Sequence, residues 1–267
     1  MRTGSVLVGI TALLAVVSLF WTPFDPNQAS ADYLLGPSAE HLLGTDRFGR
    51  DTLSRIMAGA QVTLVVGVIA VGIAAGLGVP LGILAGMKRK PGTVIMAGAD
   101  LLLAFPALLL AIIAGAVWGP STLTAMVAIG IAGVPSFARV TRSGTLQIMT
   151  QDYIAAARVS KVPSAVIAVR HVLPNLTGII IVQASVYFAL AILAEAGLSY
   201  LGLGTAPPTA SWGRMLQDAQ SLLGTNPLQA LWPGLAIAST VLGFNLLGDA
   251  LRDRLDPRLK KGARRRA

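Results

Sequence analysis

The chain carries few residues able to do chemistry, and they are unevenly placed. There is no cysteine, which excludes disulfides, thiolate zinc sites and cysteine nucleophiles. Two carboxylates, Asp100 and Glu195, fall in or beside long apolar runs. A carboxylate in such a run is expensive and marks a proton or cation site, a pathway or a gate. Asp100 has a second reading. It lies about six residues, or ~9 Å, into the run that starts at Val94, near enough to its end to be partly hydrated. His41, Asp46 and Asp51 could hold a metal ion, but they lack a recognised ligand spacing, so no metal site is expected. No GxxxxGK[ST] phosphate loop is present, so this chain is not expected to hydrolyse ATP.

The densest polar stretch is QDYIAAARVSKVPSAVIAVRHVLPNL, residues 151–176, set between two apolar runs. Alanine favours helix over Asp152–Ser160. Tyr153, Ala156, Ala157 and Ser160 then share a narrow face of small side chains at i, i+3, i+4, i+7. Arg158 can reach carboxylates at its rim, and Pro163 stops the helix. A second helical stretch, Ala165–Val172, leads to Pro174, which suits the first turn of the following run. The segment is either a surface helix linking two spans or a rod that enters a groove on another protein.

The elements that position these residues are membrane helices. Of the 267 residues 54% are hydrophobic and only 12% charged, against about 25% in soluble domains; mean hydropathy is +0.70. Six runs approach the ~20 apolar residues that cross a bilayer: 6–21, 62–87, 94–118, 123–137, 176–194 and 228–247. Alternation of period two is missing, so the fold class is an all-α membrane protein with six transmembrane helices rather than a β-barrel. With the N-terminus inside, the cytoplasmic loops and termini collect 17 of the 21 Lys and Arg residues. Only Arg47, Arg50, Arg55 and Arg214 fall outside, and both termini are cytoplasmic. The formal charge of +9 gathers in the tail, which reads as an anchor at anionic lipid. No aromatic residue interleaves that tail, so nucleic acid is not expected as a partner. ASA at 29–31 resembles a signal-peptidase site, yet it lies past Pro23 and Pro26, and an uncleaved first helix is expected.

Finer features follow. Gly72 and Gly76, and likewise Gly78, Gly82 and Gly86, stand four apart, as in closely packed membrane helices. Pro106 is expected to kink the third span. Thr45 or Asp46 is expected to cap an interfacial elbow helix, with Leu53, Ile56, Met57 and Ala60 on its apolar face and Asp46–Arg50 and Asp51–Arg55 as i, i+4 pairs. Residues 195–227 form a long outer segment with a short helix expected at Met215–Leu223, a docking or gating surface for something arriving from outside. Three parts result: a first helix with its outer segment (1–60), a core of five spans (61–252) and a basic tail (253–267).

At this point the sequence carries a resemblance. Residues 151–176 resemble the coupling-helix motif of bacterial ABC-importer permeases, in which E-A-A, three residues, Gly and nine residues precede I-x-L-P. Ala155-Ala156-Ala157 holds the triplet, and Leu173-Pro174 falls at the right distance. DYIAAAR and RHVLPN are more similar to the dipeptide/oligopeptide/nickel branch. So are HLLGTDRFGRDTLSR (41–55), DLLLAFPALLLAI (100–112), EAGLSYLGLGTAPPTASWGRM (195–215), LWPG (231–234) and NLLGDALRDRLDPRL (245–259), in the same order. The closest likeness is to the second, C-type permease. Lys161 replaces the motif glycine, where a turn of positive φ is expected.

The resemblance implies a multi-pass permease of the bacterial plasma (inner) membrane, with no cofactor or metal of its own. A second, related permease would complete the path. Two cytoplasmic ATPase domains, which bind ATP and Mg, would drive it, and an extracytoplasmic binding protein would deliver substrate. Asp152, Tyr153, Ala156, Ala157, Arg158, Ser160 and Lys161 would couple to the ATPase, and Arg170, His171, Leu173 and Pro174 would end the loop. Di- and oligopeptides are the expected substrates; nickel chelates, haem and glutathione also suit the family. The reading that needs no ATPase is a secondary transporter or channel using Asp100 or Glu195.

Overall fold

The computed structural model describes residues 2–255. The regular structure of those residues is helical: α1 (Arg2–Val17), α2 (Thr52–Met87), α3 (Arg89–Ala104), α4 (Ala107–Trp118), α5 (Thr122–Ile148), α6 (Asp152–Val159), α7 (Ser164–Val166), a π-helical turn (Ile167–Val172), α8 (Leu173–Tyr200), α9 (Trp212–Ala219) with a 3-10 turn, and α10 (Leu228–Leu255). Most of the basic tail lies outside the described residues.

Four helices are long and apolar enough to cross a membrane: α2, α5, α10 and the continuous run Ser164–Tyr200. A fifth crossing is the pair α3 and α4, bent by 82°. The bend falls at Phe105-Pro106, where proline cannot donate the helical hydrogen bond and forces its predecessor into extended backbone. The kink expected at Pro106 is thus a break. α1 has 16 residues, about 24 Å, short of a ~30 Å hydrocarbon core. It stops at Val17 rather than Trp21, although a single turn continues through the Trp21 N–H to the Val17 carbonyl.

The sequence underestimated two spans. α5 continues past Phe137 to Ile148, because Arg139 and Arg142 extend the helix beyond its apolar stretch. α8 runs to Tyr200 and joins α7 through the π-helical turn without a break, where two separate stretches were expected.

α2 and α5 form the central seam. A Cβ on Gly78 would lie 2.6 Å from Phe137 Cβ, one on Gly82 2.5 Å from the Ala138 carbonyl oxygen, and one on Gly86 2.6 Å from Thr145 Cβ. The two helices therefore approach so closely that only glycine fits at these positions of α2. Gly72 and Gly76, by contrast, have nothing within 4 Å and lie on an open face. α8 packs against both seam helices, α3 and α4 flank α5, α10 packs on α8, and α1 packs on α10 and α2. Thr11 and Thr240 share a hydroxyl hydrogen bond of 2.8 Å where α1 crosses α10.

The segment before α2 differs from the elbow expected there. Asp51, not Thr45 or Asp46, is the N-cap, accepting the Ser54 N–H at 2.8 Å and the Ser54 hydroxyl at 2.7 Å. Residues from Thr52 onward are the first turns of α2 itself. The short outer helix begins at Trp212, earlier than Met215, because Ser211 caps it.

Candidate functional site: the 151–176 segment and two charged clusters

α6 is eight residues long, below the length at which an isolated helix holds in water. What fixes it is one side chain. Ile154 is fully buried in a cluster with Ala74, Val79 and Ile83 of α2, Phe137 of α5, Ile167 and Val172 of the π turn, and Leu176 of α8. Ala157, one turn on, is half-buried against the same cluster. The face drawn from sequence is therefore split. Tyr153, Ala156 and Ser160 are exposed, whereas Ala157 turns to the bundle. Asp152 in the first turn and Arg158 in the last complement the helix dipole.

The helix ends in a Schellman motif. The Lys161 N–H donates to the Arg158 carbonyl at 3.0 Å and the Val162 N–H to the Ala157 carbonyl at 3.0 Å. Lys161 has φ +55°, the left-handed conformation expected at the motif's glycine position. A lysine there carries about 1 kcal/mol of strain that glycine would not. Val162 joins Ala157 on the buried cluster, the apolar contact that accompanies such caps.

The chain then returns through α7 and the π turn, where the Leu173 N–H reaches the Ala168 carbonyl five residues back. Pro174 supplies the reason. It has no N–H for the Arg170 carbonyl, and in a regular α-turn its ring would strike that carbonyl. Arg170 and Pro174 are exposed, His171 and Leu173 half-buried. The His171 ring lies 6.2 Å from that of Tyr153, so the two ends of the segment meet. A cavity of about 310 Å³ at the end of α6 is lined by Lys88, Met149, Arg158, Val162 and Ser164.

Asp100 pairs with Arg139 of α5, Nη2 to Oδ1 at 2.5 Å, and both side chains are more than half exposed. Glu195 is buried instead. Its Oε1 accepts three hydroxyls, from Ser199 (2.6 Å), Ser211 (3.0 Å) and Thr205 (3.2 Å), which ties the end of α8 to the loop leading into α9. No local pattern pointed to these hydroxyl partners, which lie up to 16 residues away.

At the α9 end the outer segments are locked together by charge. Asp46 accepts Arg50 Nε at 2.7 Å, as the i, i+4 spacing suggests. The expected Asp51–Arg55 pair does not form. Asp51 is taken by the cap and by His41 Nδ1 at 2.9 Å, and Arg55 donates to the Pro26 carbonyl at 2.9 Å. Asp218 of α9 joins the cluster by accepting Arg47 at 2.8 Å and Arg50 at 3.3 Å. Trp212 Nε1 donates to the Ile56 carbonyl, and Gln229 Nε2 to the Thr45 carbonyl. Residues 41–55, 195–219 and the start of α10 are thus one assembly.

Comparison with known proteins bears on both ends. The family described as "Binding-protein-dependent transport system inner membrane component" matches residues 78–261. The chain is 42% identical to the dipeptide transport system permease protein DppC of Alkalihalophilus pseudofirmus over 97% of its length and 84% of that protein. It is 40% identical to the di/tripeptide transport system permease protein DppC of Pseudomonas aeruginosa (96% and 89%). With the glutathione transport system permease protein GsiD of Pectobacterium atrosepticum the identity is 41% (96% and 87%). The fold matches a chain of the MetNI methionine ABC transporter in an inward-facing conformation, with TM-score 0.61 and 17% identity, covering 75% of this chain and 96% of that one. The chain therefore belongs to the binding-protein-dependent transport system inner membrane components, multi-pass permease subunits of ABC transporters whose ATP is hydrolysed on partner subunits.

Proposed function

We propose that this chain forms half of the translocation path of a peptide importer and takes its driving force through α6. The observation that carries the reading is the mounting of α6. A short helix is pinned by Ile154 into a cluster shared by α2, α5 and α8, while Asp152, Tyr153, Ala156, Arg158, Ser160 and Lys161 stay exposed. That is the mounting a lever needs: a free face for the ATPase and a buried root in the spans. Arg170, His171, Leu173 and Pro174 close the loop and hold its return leg. Six crossings with both termini cytoplasmic agree with the distribution of Lys and Arg, with α1 and its apolar continuation to Trp21 as the first. The partners are a second homologous permease, two ATPase domains and an extracytoplasmic binding protein, for which the locked α9 end is the natural landing surface.

Peptides as substrate are supported by the identity of 40–42% to permeases named for dipeptides, di/tripeptides and glutathione. Those compounds share an α-ammonium group, a carboxylate and at least one amide.

The test is uptake of a dipeptide into vesicles that contain the assembled transporter, loaded with ATP and stripped of ion gradients. Uptake should persist there and cease without ATP; uptake that follows the gradient and ignores ATP would reject the reading. Ala156→Glu places a carboxylate on the free face of α6 where the ATPase groove would close over it, at a cost of several kcal/mol. The variant should insert normally yet lose its ATPase during purification. Recovery of the ATPase at the unmodified yield would defeat this docking.

A further inference from the structure

We infer that the groove between the end of α2 and α7 binds one anionic phospholipid, with an acyl chain along α2 and the phosphate between Lys88 and Arg158. The inference rests on the orientation proposed above, which puts Lys88 at the cytoplasmic face, and not on the identity of the substrate.

Two adjoining cavities make the site. The first, of about 390 Å³, runs along α2 from Val79 to Met87, with Ala165, Ala168 and Val169 on its far side. Those eight steps span about 12 Å at 1.5 Å per residue, close to the ~15 Å depth of one leaflet of a ~30 Å core. Its walls are apolar except at one end, where Lys88 and Ser164 stand. The second cavity, of about 310 Å³, shares Met87, Lys88 and Ser164 with the first and adds Arg158. An apolar trough thus opens into a pocket that carries two cations and a hydroxyl, which is the outline of a chain with a phosphate at its head.

The cations at that end have no acidic partner in the structure. On the outer side Arg47, Arg50, Arg55 and Arg214 each lie within 4 Å of an aspartate, and Arg139 pairs with Asp100. Among the described residues neither Lys88 nor Arg158 has a carboxylate within that distance. The occupant must therefore bring the negative charge.

A soluble ATPase reaches Arg158 but not Val79, about two turns inside the span. A homologous permease could fill the trough, but its cytoplasmic ends are basic by the rule that orients this chain, so it would set cation against cation. A phospholipid of the inner leaflet brings the apolar chain and the phosphate at the heights where the two cavities lie. Lys88, Arg89 and Lys90 raise the local concentration of acidic lipid at that face. Lys88 is the extended residue between α2 and α3, and Arg158 stands in the last turn of α6. A phosphate held by both ties the lever to the α2–α3 junction.

The test uses the assembled transporter in phosphatidylcholine nanodiscs, doped with phosphatidylglycerol that carries a diazirine on its acyl chain. Labelled peptides are identified by mass spectrometry after illumination. Residues 79–88 and 164–173 should be labelled about thirtyfold more by this probe than by a phosphatidylcholine probe with the same chain, roughly fivefold for each cation. Lys88→Gln should lower the preference about fivefold, whereas Arg89→Gln, the same change of charge outside the pocket, should leave it within about twofold. Ala165→Phe keeps both cations but fills the trough, and should reduce labelling of both peptides by both probes. Equal labelling by the two probes would show ordinary boundary lipid and overturn the proposal. Equal effects of Lys88→Gln and Arg89→Gln would overturn it in favour of surface potential alone, and unlabelled peptides would show the groove covered by protein. Failure of the orientation would appear separately: Lys90→Cys, in a chain with no other cysteine, would react with an impermeant thiol reagent from the outer side of sealed vesicles.

Discussion

Replacing Ile154 by alanine isolates the root of α6 from its free face. The side chain is fully buried, and the change removes three carbon atoms from a cluster built by α2, α5, the π turn and α8. At about 0.8 kcal/mol per buried carbon the transfer loss is about 2.4 kcal/mol, and the cavity left behind brings it to about 3 kcal/mol. The bundle does not depend on this contact, because the other two clusters, around Trp212 and around Ile129, share no residue with it. α6 does depend on it, since eight residues cannot hold a helix by propensity alone. The loss should therefore fall on local opening. Amides of residues 152–159 should exchange with deuterium about a hundredfold faster, from 1.4 kcal/mol per factor of ten, while α2 and α5 keep their protection. Hydrogen exchange by mass spectrometry of the assembled transporter in nanodiscs reads both regions at once. ATP hydrolysis should continue while peptide uptake falls, because the docking face is intact and its attachment is not. Unchanged exchange over 152–159, or equal loss across the bundle, would refute the argument that one side chain anchors the lever.

Three further substitutions probe the other joints. Lys161→Gly relieves a positive φ and should stabilise the end of α6 by about 1 kcal/mol, seen as slower exchange at Val162; faster exchange there would mean that the lysine side chain, not the turn, holds the cap. Asp218→Asn removes the carboxylate that bridges Arg47 and Arg50 and should cost about 2–3 kcal/mol, opening residues 24–51 to limited proteolysis while α6 stays protected. Gly82→Val drives a side chain into the Ala138 carbonyl and should abolish recovery of folded protein from detergent, whereas the same change at Gly76, which has nothing within 4 Å, should be tolerated in the isolated chain.

Composition and periodicity were enough to place the apolar helices, because burial in lipid is written into every residue of a span. The ends of those spans were less legible. α5 outruns its apolar stretch since Arg139 and Arg142 are good helix formers, and hydropathy registers them only as an end. Local pairing rules found Asp46–Arg50 but failed at Asp51–Arg55, where a helix cap and His41 compete for the same carboxylate. Nothing local could have joined Asp218 to Arg47, 171 residues apart, or given Asp100 its partner in α5. Ile154 left a signal that went unused: it is the one long aliphatic side chain among small and polar neighbours from Gln151 to Arg158. The left-handed turn at Lys161 was legible only from the glycine that the resemblance places there, since lysine by itself argues against it.

The two ends of the molecule are built on different physics, and this bears on how a push at α6 can travel. The α9 end is fastened by ion pairs and buried hydroxyls that tie separate segments at fixed points. The α6 end is fastened by apolar contact, which is non-directional and tolerates sliding. Between them, α2 and α5 pack closely over three glycines, against Phe137, Ala138, Thr141 and Thr145, which leaves that seam little room to slide. Displacing α6 therefore loads α2, α5 and α8 together, through a joint that yields, toward an end that does not. The structure offers two places for the difference in motion to be absorbed: the break at Pro106, where α3 and α4 meet at 82°, and the wide π turn below Pro174. Both exist because a proline withholds a hydrogen bond; Pro80, Pro135 and Pro233 withhold one inside α2, α5 and α10 as well, yet those helices continue through them, so the irregular joints fall at Pro106 and Pro174.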